Sequence, residues 1–328
     1  MKKVFFDFLN HITLGTKQSY RNIAVFPLIC DQEITTDYLL LDEALDSELI
    51  VITEVDEGGS VPELKVKNKS DKNLLILDGE ELVGAKQNRI VNVTILIAAY
   101  ASLTIPVSCV EQGRWSYQGR RFMSKERVMP SMMRMMKSVA VHDSLDACGK
   151  FNADQGEIWN MIDEKKERHK VDAPTSAMGA IYDHEQDITD DYMKHFTVKD
   201  NQVGILVMIN NQVIGCDCFG KNDTLGKSFA KLIQSYVLDA IDVNGRKKRY
   251  SFPKGKASGF IDDIRGCLVK ERSSISLGTD VRLASQKVIG SALSLKNEVI
   301  HLTAFAKDGK EQNKEVGFYQ RPSRRKRH

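Results

Sequence analysis

Long apolar stretches and patterned cysteines are both missing from this sequence of 328 residues. The longest apolar stretch, residues 95–101, is far shorter than the roughly 20 residues that a membrane-spanning helix needs. The six cysteines form neither a C-x-x-C pair nor a set at zinc-ligand spacing, which favours small buried side chains in a reducing compartment. Charge follows the first apolar residues too soon for a signal peptide. We therefore expect a cytoplasmic protein without a membrane partner.

Several common catalytic signatures are also absent. The seven histidines form no H-E-x-x-H or similar array, so no metal site is predicted. There is no Walker loop, no dinucleotide fingerprint after the first strand and no G-x-S-x-G elbow, and the cofactor remains unknown. A net charge of +3 is nearly balanced, so the whole molecule has no field that favours nucleic acid or membrane.

The succession of patterns predicts an α+β fold that is strand-rich, with predominantly antiparallel sheets and a helical middle segment. Residues 1–310 are expected to form a single domain. They alternatively form two lobes, a β-rich one over about 1–120 and one of helices and strands over about 121–310. Residues 311–328 are a basic tail without an apolar pattern, and such a tail is expected to be disordered.

Local signals predict individual elements. Three hairpins are expected where apolar runs flank a turn-like segment: 64–66 with 74–77, 203–209 with 212–219, and 288–295 with 298–305. Two further strands are expected, over 90–98 and 103–110. Asp154 with Glu157 forms a capping-box pattern that predicts a helix start. Pro174, which follows Asp172, is suitably placed for the first turn of another helix.

The densest polar segment is 78–92, which lies between strongly apolar runs. Its two glycines, Gly79 and Gly84, allow tight turns or a close approach to a ligand. Among its polar residues, carboxylates are suited to acid or base catalysis, cations to holding phosphate, and amides to reading hydroxyls or a base edge. These residues are Glu80 and Glu81, Lys86 and Arg89, and Gln87, Asn88 and Asn92, respectively. The alternative is a solvated, charged hairpin loop.

A second polar segment, 106–115, begins within the strand predicted over 103–110 and continues past its end. It presents Glu111 and then, after a turn, Arg114 and Trp115. Arginine with tryptophan is a common recognition pair, because one binds anions and the other offers a flat stacking face. The alternative is a structural Arg–Glu pair covering an amphipathic tryptophan. Cys109 has no identifiable partner histidine and is expected to be inert.

Basic residues cluster in two further places. Residues 245–256 interleave cations with two aromatic side chains, and residues 324–327 are all basic. RNA binding through phosphate contacts and stacking is one interpretation. A solvated loop and a solubilising tail are the plainer one.

The 78–92 and 106–115 segments resemble an uncharacterised bacterial family named for its association with ADP-ribosylglycohydrolases and rhodanese-type phosphatases. Residues 202–204, 235–240 and 301–305 also look like it, so the resemblance runs from about residue 26 to 305. It implies a strand-rich domain with a polar site and a link to NAD or ADP-ribose processing. It implies no particular reaction.

Three hypotheses remain open. The first is a domain that binds or hydrolyses ADP-ribose or a related nucleotide, with Lys86, Arg89 and Arg114 on the diphosphate and Trp115 stacked on the base. Gln87, Asn88 and Asn92 would complete the ligand site, and Glu80, Glu81 or Glu111 would be the acid or base. The second is a protein-interaction module without enzymatic activity. The third is RNA binding through the basic loop and tail.

Overall fold

A computed structural model describes residues 2–244 and 250–307. Over these ranges the protein has the α+β architecture and mostly antiparallel sheets that the sequence predicts. The helices are α1 (Lys2–His11), α2 (Leu41–Asp46), α3 (Ser131–Cys148), α4 (Gln155–His169), α5 (Gly179–His184), α6 (Gln186–Met193), α7 (Asn222–Asp242) and α8 (Lys254–Arg265).

The strands fall into three groups along the chain. The first nine are β1 (Thr13–Leu14), β2 (Gln18–Tyr20), β3 (Ile23–Ile29), β4 (Tyr38–Leu40), β5 (Ile50–Glu54), β6 (Glu63–Asn68), β7 (Asn73–Ile76), β8 (Glu80–Gly84) and β9 (Arg89–Val91). The next three are β10 (Ile95–Ile97), β11 (Ser102–Cys109) and β12 (Phe122–Val128). The last six are β13 (Gln202–Ile209), β14 (Gln212–Phe219), β15 (Leu268–Ser273), β16 (Thr279–Ala284), β17 (Val288–Leu295) and β18 (Glu298–Ala306).

A nine-stranded antiparallel sheet forms the centre of the molecule, in the order β1-β3-β13-β14-β18-β17-β16-β15, with β2 on β3. Side chains alternate across it because successive residues of a strand point to opposite faces. One face packs on α3, α6 and α7, and the other on α1 and α8. Both apolar faces are therefore covered by helices.

The candidate site lies on a smaller, six-stranded antiparallel sheet in the order β12-β8-β9-β11-β6-β5. Beside it β10, β7 and β4 form a three-stranded sheet, in which β4 and β7 are parallel. Aliphatic side chains from both sheets share one core with the start of α2 and the far end of α3. The short strands β8 and β9 carry most of the 78–92 segment.

Two predicted hairpins are confirmed and one is wrong. β13–β14 and β17–β18 turn at Asn210–Asn211 and Lys296–Asn297, which adopt the positive φ angles that such turns need. The hairpin expected over 64–77 does not form, because β6 pairs with β5 and β11 whereas β7 pairs with β4 and β10. The single strand expected over 90–98 is likewise two strands, β9 and β10, in different sheets. The local sequence pattern does not indicate which strands pair with β6 and β7, because those strands are not their neighbours in the predicted hairpin.

Buried ion pairs attach the 78–92 segment to the helices. Lys137 of α3 pairs with Asp78, and Lys231 of α7 lies 2.5 Å from both Glu80 and Asp42. Deeper in the core, Arg134 makes two bonds of 2.8 and 3.0 Å to Asp217. Such pairs fix geometry more than they add stability, because removing ions from water costs about as much as their attraction returns.

Candidate functional site

The two polar segments lie against each other. The Gln87 side chain donates to the carbonyl oxygen of Glu111 at 3.1 Å, and the Asn88 backbone N–H donates to the Glu111 carboxylate at 3.1 Å. These contacts follow from the pairing of β9 with β11, which places Arg89 opposite Cys109. The two segments that the sequence suggests for one site are thus neighbours in space.

Arg114 joins the two segments. Its Nε and Nη2 donate to one oxygen of Glu111 at 2.9 and 2.6 Å, and Nη2 also reaches the Asn88 side chain at 3.0 Å. Its Nη1 donates to the carbonyl oxygens of Ala85 and Ser116. Every nitrogen of this buried guanidinium is occupied within the protein, so the contacts hold the 84–88 turn in place.

Arg89 is in the opposite situation. Its side chain is fully buried, and its hydrogen bonds to the described residues run from Nη1 alone, at 3.2 Å to Gln87 and a long 3.4 Å to the Asn88 carbonyl oxygen. Nε and Nη2 have no hydrogen-bond partner, and no carboxylate of the described ranges forms an ion pair with it. Burial lowers the pKa of Arg89. A buried guanidinium with free donors is costly, since each unmade bond loses about 1–3 kcal/mol.

Aromatic and cationic side chains cover Arg89. Its guanidinium carbon lies 5.8 Å from the ring centroid of Trp115, a residue 49% exposed. The Lys86 ammonium lies 5.2 Å from the rings of both Trp115 and Tyr117. The same ammonium donates to the carbonyl oxygens of Glu57 and Gly58 at 2.7 and 2.6 Å. An exposed loop and an exposed indole therefore close the site from the solvent side.

Glu54 at the end of β5 belongs to this site and has no counterpart in the sequence-based assignment. One of its oxygens accepts from the Lys86 backbone N–H at 3.3 Å, whereas Oε2 is buried without a partner. A side chain at Gly59 would reach Oε2 at 3.5 Å and the Trp115 ring at 3.4 Å, so these groups share one small region. The Glu54 charge acts on Arg89 without forming an ion pair. We call Glu54, Lys86, Arg89 and Trp115 the Arg89 site.

Three other candidates are already bonded within the protein. Glu80 accepts from the Leu77 backbone N–H as well as from Lys231. Glu111 is bonded by Arg114 and Asn88 and accepts from Thr175 through its other oxygen. Asn92 donates to the Phe151 carbonyl oxygen and accepts from Ser108.

Glu81 lies on the other side of the β8–β9 ribbon. It pairs in register with Ile90, whereas Leu82 pairs with Arg89, so Glu81 and Arg89 project to opposite faces. Glu81 is fully buried beneath Gly179, and neither carboxylate oxygen has a hydrogen-bond partner in the part of the chain that the structure describes. Burial raises the pKa of Glu81 to about 7, against the opposing effect of Arg127.

The segment after Pro174 closes the back of the site, and the helix predicted to start there is wrong. Residues 174–175 form a turn, Ala177 forms an isolated β-bridge with Glu111, and α5 begins only at Gly179. Thr175 accepts from the Gly113 backbone N–H at 2.9 Å, and a side chain at Gly113 would meet Thr175 Cα at 2.8 Å. This close approach explains why a glycine stands at position 113.

The helix start predicted at Asp154 is confirmed, since its carboxylate accepts from the Glu157 backbone N–H.

Two clefts lie outside the Arg89 site. One of about 490 Å³ lies between α1 and the start of β18, and one of about 620 Å³ lies between β5 and β12.

Of the predicted RNA-binding loop, residues 250–256 are described, and Lys256 donates to the Asn211 carbonyl oxygen. Residues 245–249 and the basic tail lie outside the described ranges. No helix of the described chain is long and apolar enough to span a bilayer.

The fold and the contacts define an α+β protein with a buried, partly unsatisfied polar site on its six-stranded antiparallel sheet. A family model described as the ARG and Rhodanese-Phosphatase-superfamily-associated Protein domain matches residues 11–305. The chain belongs to this uncharacterised family, and the match includes the whole site. No curated protein and no solved structure matches the chain.

Proposed function

We propose that the Arg89 site binds an anionic, hydroxyl-bearing nucleotide ligand of the ADP-ribose type. The observation that carries this proposal is the pair of buried, oppositely charged side chains, Arg89 and Glu54, that lie close together with free hydrogen-bonding atoms on both. A buried polar atom without a partner costs free energy, so its retention calls for a compensating role, and satisfaction by a bound ligand is one such role.

The free atoms specify the ligand chemistry. Nε and Nη2 of Arg89 form the side of the guanidinium that binds two oxygens of a phosphate or a sugar diol. Oε2 of Glu54 can only accept, so it requires a hydroxyl or N–H donor when ionised. Trp115 supplies a face for a planar base, and Lys86 supplies a second cation. The family name adds an implied link to ADP-ribose chemistry.

The arrangement supports binding rather than hydrolysis. Glu80 and Glu111 are engaged in buried ion pairs, and Glu81 faces away from Arg89. In the proposed assignment the turn that presents Arg89 is held by Arg114, Gln87 and Asn88. Asn92 holds the end of β9 through its hydrogen bond to the Phe151 carbonyl oxygen.

Calorimetric titration with ADP-ribose tests the proposal, with AMP, ribose 5-phosphate and inorganic phosphate as fragments. Arg89→Lys keeps the charge and removes the planar fork, so we expect about tenfold weaker binding. Glu54→Gln keeps the shape of the side chain and removes its charge. Relative to the wild type, we expect the affinity for ribose 5-phosphate to fall more than the affinity for inorganic phosphate. Tyr100→Ala removes an exposed aromatic side chain elsewhere on the sheet and should change nothing. Equal affinities of all four proteins would contradict the proposal.

A further inference from the structure

The free hydrogen-bonding atoms of the Arg89 site are buried beneath a surface loop. Arg89 is fully buried, and Nε and Nη2 of its guanidinium have no partner in the described chain, like Oε2 of Glu54. Glu54 as a whole is only 6% exposed. A dissolved ligand contacts these atoms only after part of the protein has moved. The proposed ligand site therefore implies a segment of chain that opens.

The covering segment is the loop between β5 and β6, residues 55–61, which we call the lid loop. A side chain at Gly59 would lie 3.5 Å from Oε2 of Glu54 and 3.4 Å from the Trp115 ring. The centroid of that ring lies 5.8 Å from the guanidinium carbon of Arg89. The lid loop thus packs directly on Glu54 and on the indole that covers Arg89.

The lid loop buries little apolar surface of its own. Four of its seven residues are exposed, and the other three are half-buried. Val55 and Val61 belong to none of the apolar core clusters in the described ranges. The Gly59 N–H donates to the carbonyl oxygen and the carboxylate of Asp56, so these bonds lie within the loop and can persist when it moves. Segments with few buried apolar contacts open locally at low cost in free energy.

The side chains that attach the lid loop to the site donate to its backbone carbonyl oxygens. The Lys86 ammonium donates to the carbonyl oxygens of Glu57 and Gly58 at 2.7 and 2.6 Å. The Tyr117 hydroxyl donates to the Glu57 carbonyl oxygen at 3.3 Å. A phosphate is a stronger acceptor for an ammonium group than a neutral carbonyl, because it is ionised. A phosphate can therefore replace the loop as the partner of Lys86.

We propose that the lid loop opens to admit the ligand, and that Lys86 exchanges the loop carbonyl oxygens for a phosphate of the ligand. The proposal rests on the ligand site proposed above and adds the mode of entry. In the closed form the carbonyl oxygens occupy the ammonium that holds the ligand, so the loop competes with the ligand. Only molecules with an open lid loop bind, so the association rate is proportional to the open fraction.

Gly59 offers a substitution that opens the lid loop. Its φ of +76° favours glycine, and an added methyl group would also lie 3.1 Å from Lys86 Cδ. We expect Gly59→Ala to raise the open fraction about 5- to 30-fold, because a side chain disfavours this left-handed conformation. Gly58→Ala is the matched control. Gly58 lies outside the left-handed region, and its added methyl group would meet the flexible carboxylate of Asp56 in the same loop.

Hydrogen exchange at the Arg89 Nε–H, followed by NMR in the full-length protein without ligand, measures opening directly. A buried N–H exchanges only when it meets water. We expect Gly59→Ala to speed this exchange about 5- to 30-fold and Gly58→Ala to leave it unchanged. The Nε–H of Arg134, buried under the large sheet, should exchange equally in all three proteins. Equal Arg89 rates in the three proteins, or acceleration of both arginines together, would overturn the proposal.

Stopped-flow mixing with ADP-ribose, followed by tryptophan fluorescence, tests entry of the ligand. The association rate should rise in Gly59→Ala by the same factor as the Arg89 exchange rate, and it should stay unchanged in Gly58→Ala. Faster exchange with an unchanged association rate would show that the lid loop does not control entry. Failure of all three proteins to bind ADP-ribose would contradict the proposed function, whereas the exchange rates decide independently whether the lid loop opens.

Discussion

Replacing Arg89 by methionine separates a ligand-binding role from a structural one. The substitution keeps most of the side-chain volume and removes a charge that has no ion-pair partner in the described protein. Two unmade buried hydrogen bonds, at about 1–3 kcal/mol each, are relieved, and two existing bonds of 3.2 and 3.4 Å are lost. We expect the free energy of unfolding without ligand to stay unchanged or to rise by about 2 kcal/mol.

The same substitution should weaken ADP-ribose binding. Loss of a charged hydrogen-bonding contact costs about 1.5–3 kcal/mol, which corresponds to about a 10- to 150-fold higher dissociation constant. Urea unfolding and calorimetric titration of the same preparation measure both quantities. Arg134→Met is the control for a buried arginine that forms an ion pair with a carboxylate, and it should lose about 3–5 kcal/mol of stability because Asp217 loses its cationic partner. A stability loss of that size in Arg89→Met, with affinity unchanged, would refute the reasoning.

Three further substitutions test individual parts of the account. Arg114→Ala should lower the free energy of urea unfolding by about 3–5 kcal/mol, because Glu111 loses its buried partner; a loss below about 1 kcal/mol would show that the pair is dispensable. The pKa of Glu81 in the fold is about 7, above its ordinary value of 4.5, so its contribution to stability is complete below pH 4.5 and is lost as pH rises through 7. The free energy of unfolding of Glu81→Gln, measured relative to that of the wild type, should therefore rise by about 3 kcal/mol between pH 4.5 and 8. A difference that does not depend on pH would contradict this. Trp115→Ala should weaken ADP-ribose binding about tenfold with little change in unfolding, and equal affinity would exclude stacking.

The fold class and the regular hairpins could be predicted because their signals are local. The β13–β14 and β17–β18 turns need positive φ angles, and asparagine at these positions makes that need visible in the sequence. The partners of β6 and β7 could not be predicted, since each strand pairs across the chain rather than with its neighbour. Pro174 was misleading because the loop that follows it is held by contact with Gly113 and Glu111, residues distant in sequence.

The sequence suggested that the two polar segments lie close together. It did not show which of their residues are bonded within the protein and which keep free hydrogen-bonding atoms. Arg89 and Arg114 are the same residue type, yet of the two only Arg114 forms an ion pair with a carboxylate of the described residues. Glu81 and Arg89 stand in the same segment but project from opposite faces because of their register. Glu54 lies more than thirty residues upstream of Arg89 and carries no motif, so no local signal links it to the site.

The most direct test of the central claim is an NMR titration that follows the Nε–H signals of arginine side chains as ADP-ribose is added. Arg89→Lys assigns the Arg89 signal, and the buried Arg134 signal serves as an internal control. Binding at the Arg89 site predicts that the Arg89 signal shifts saturably while the Arg134 signal stays in place. An Arg89 signal that does not move up to about 10 mM ADP-ribose, far above the range of ordinary specific affinities, would contradict the claim.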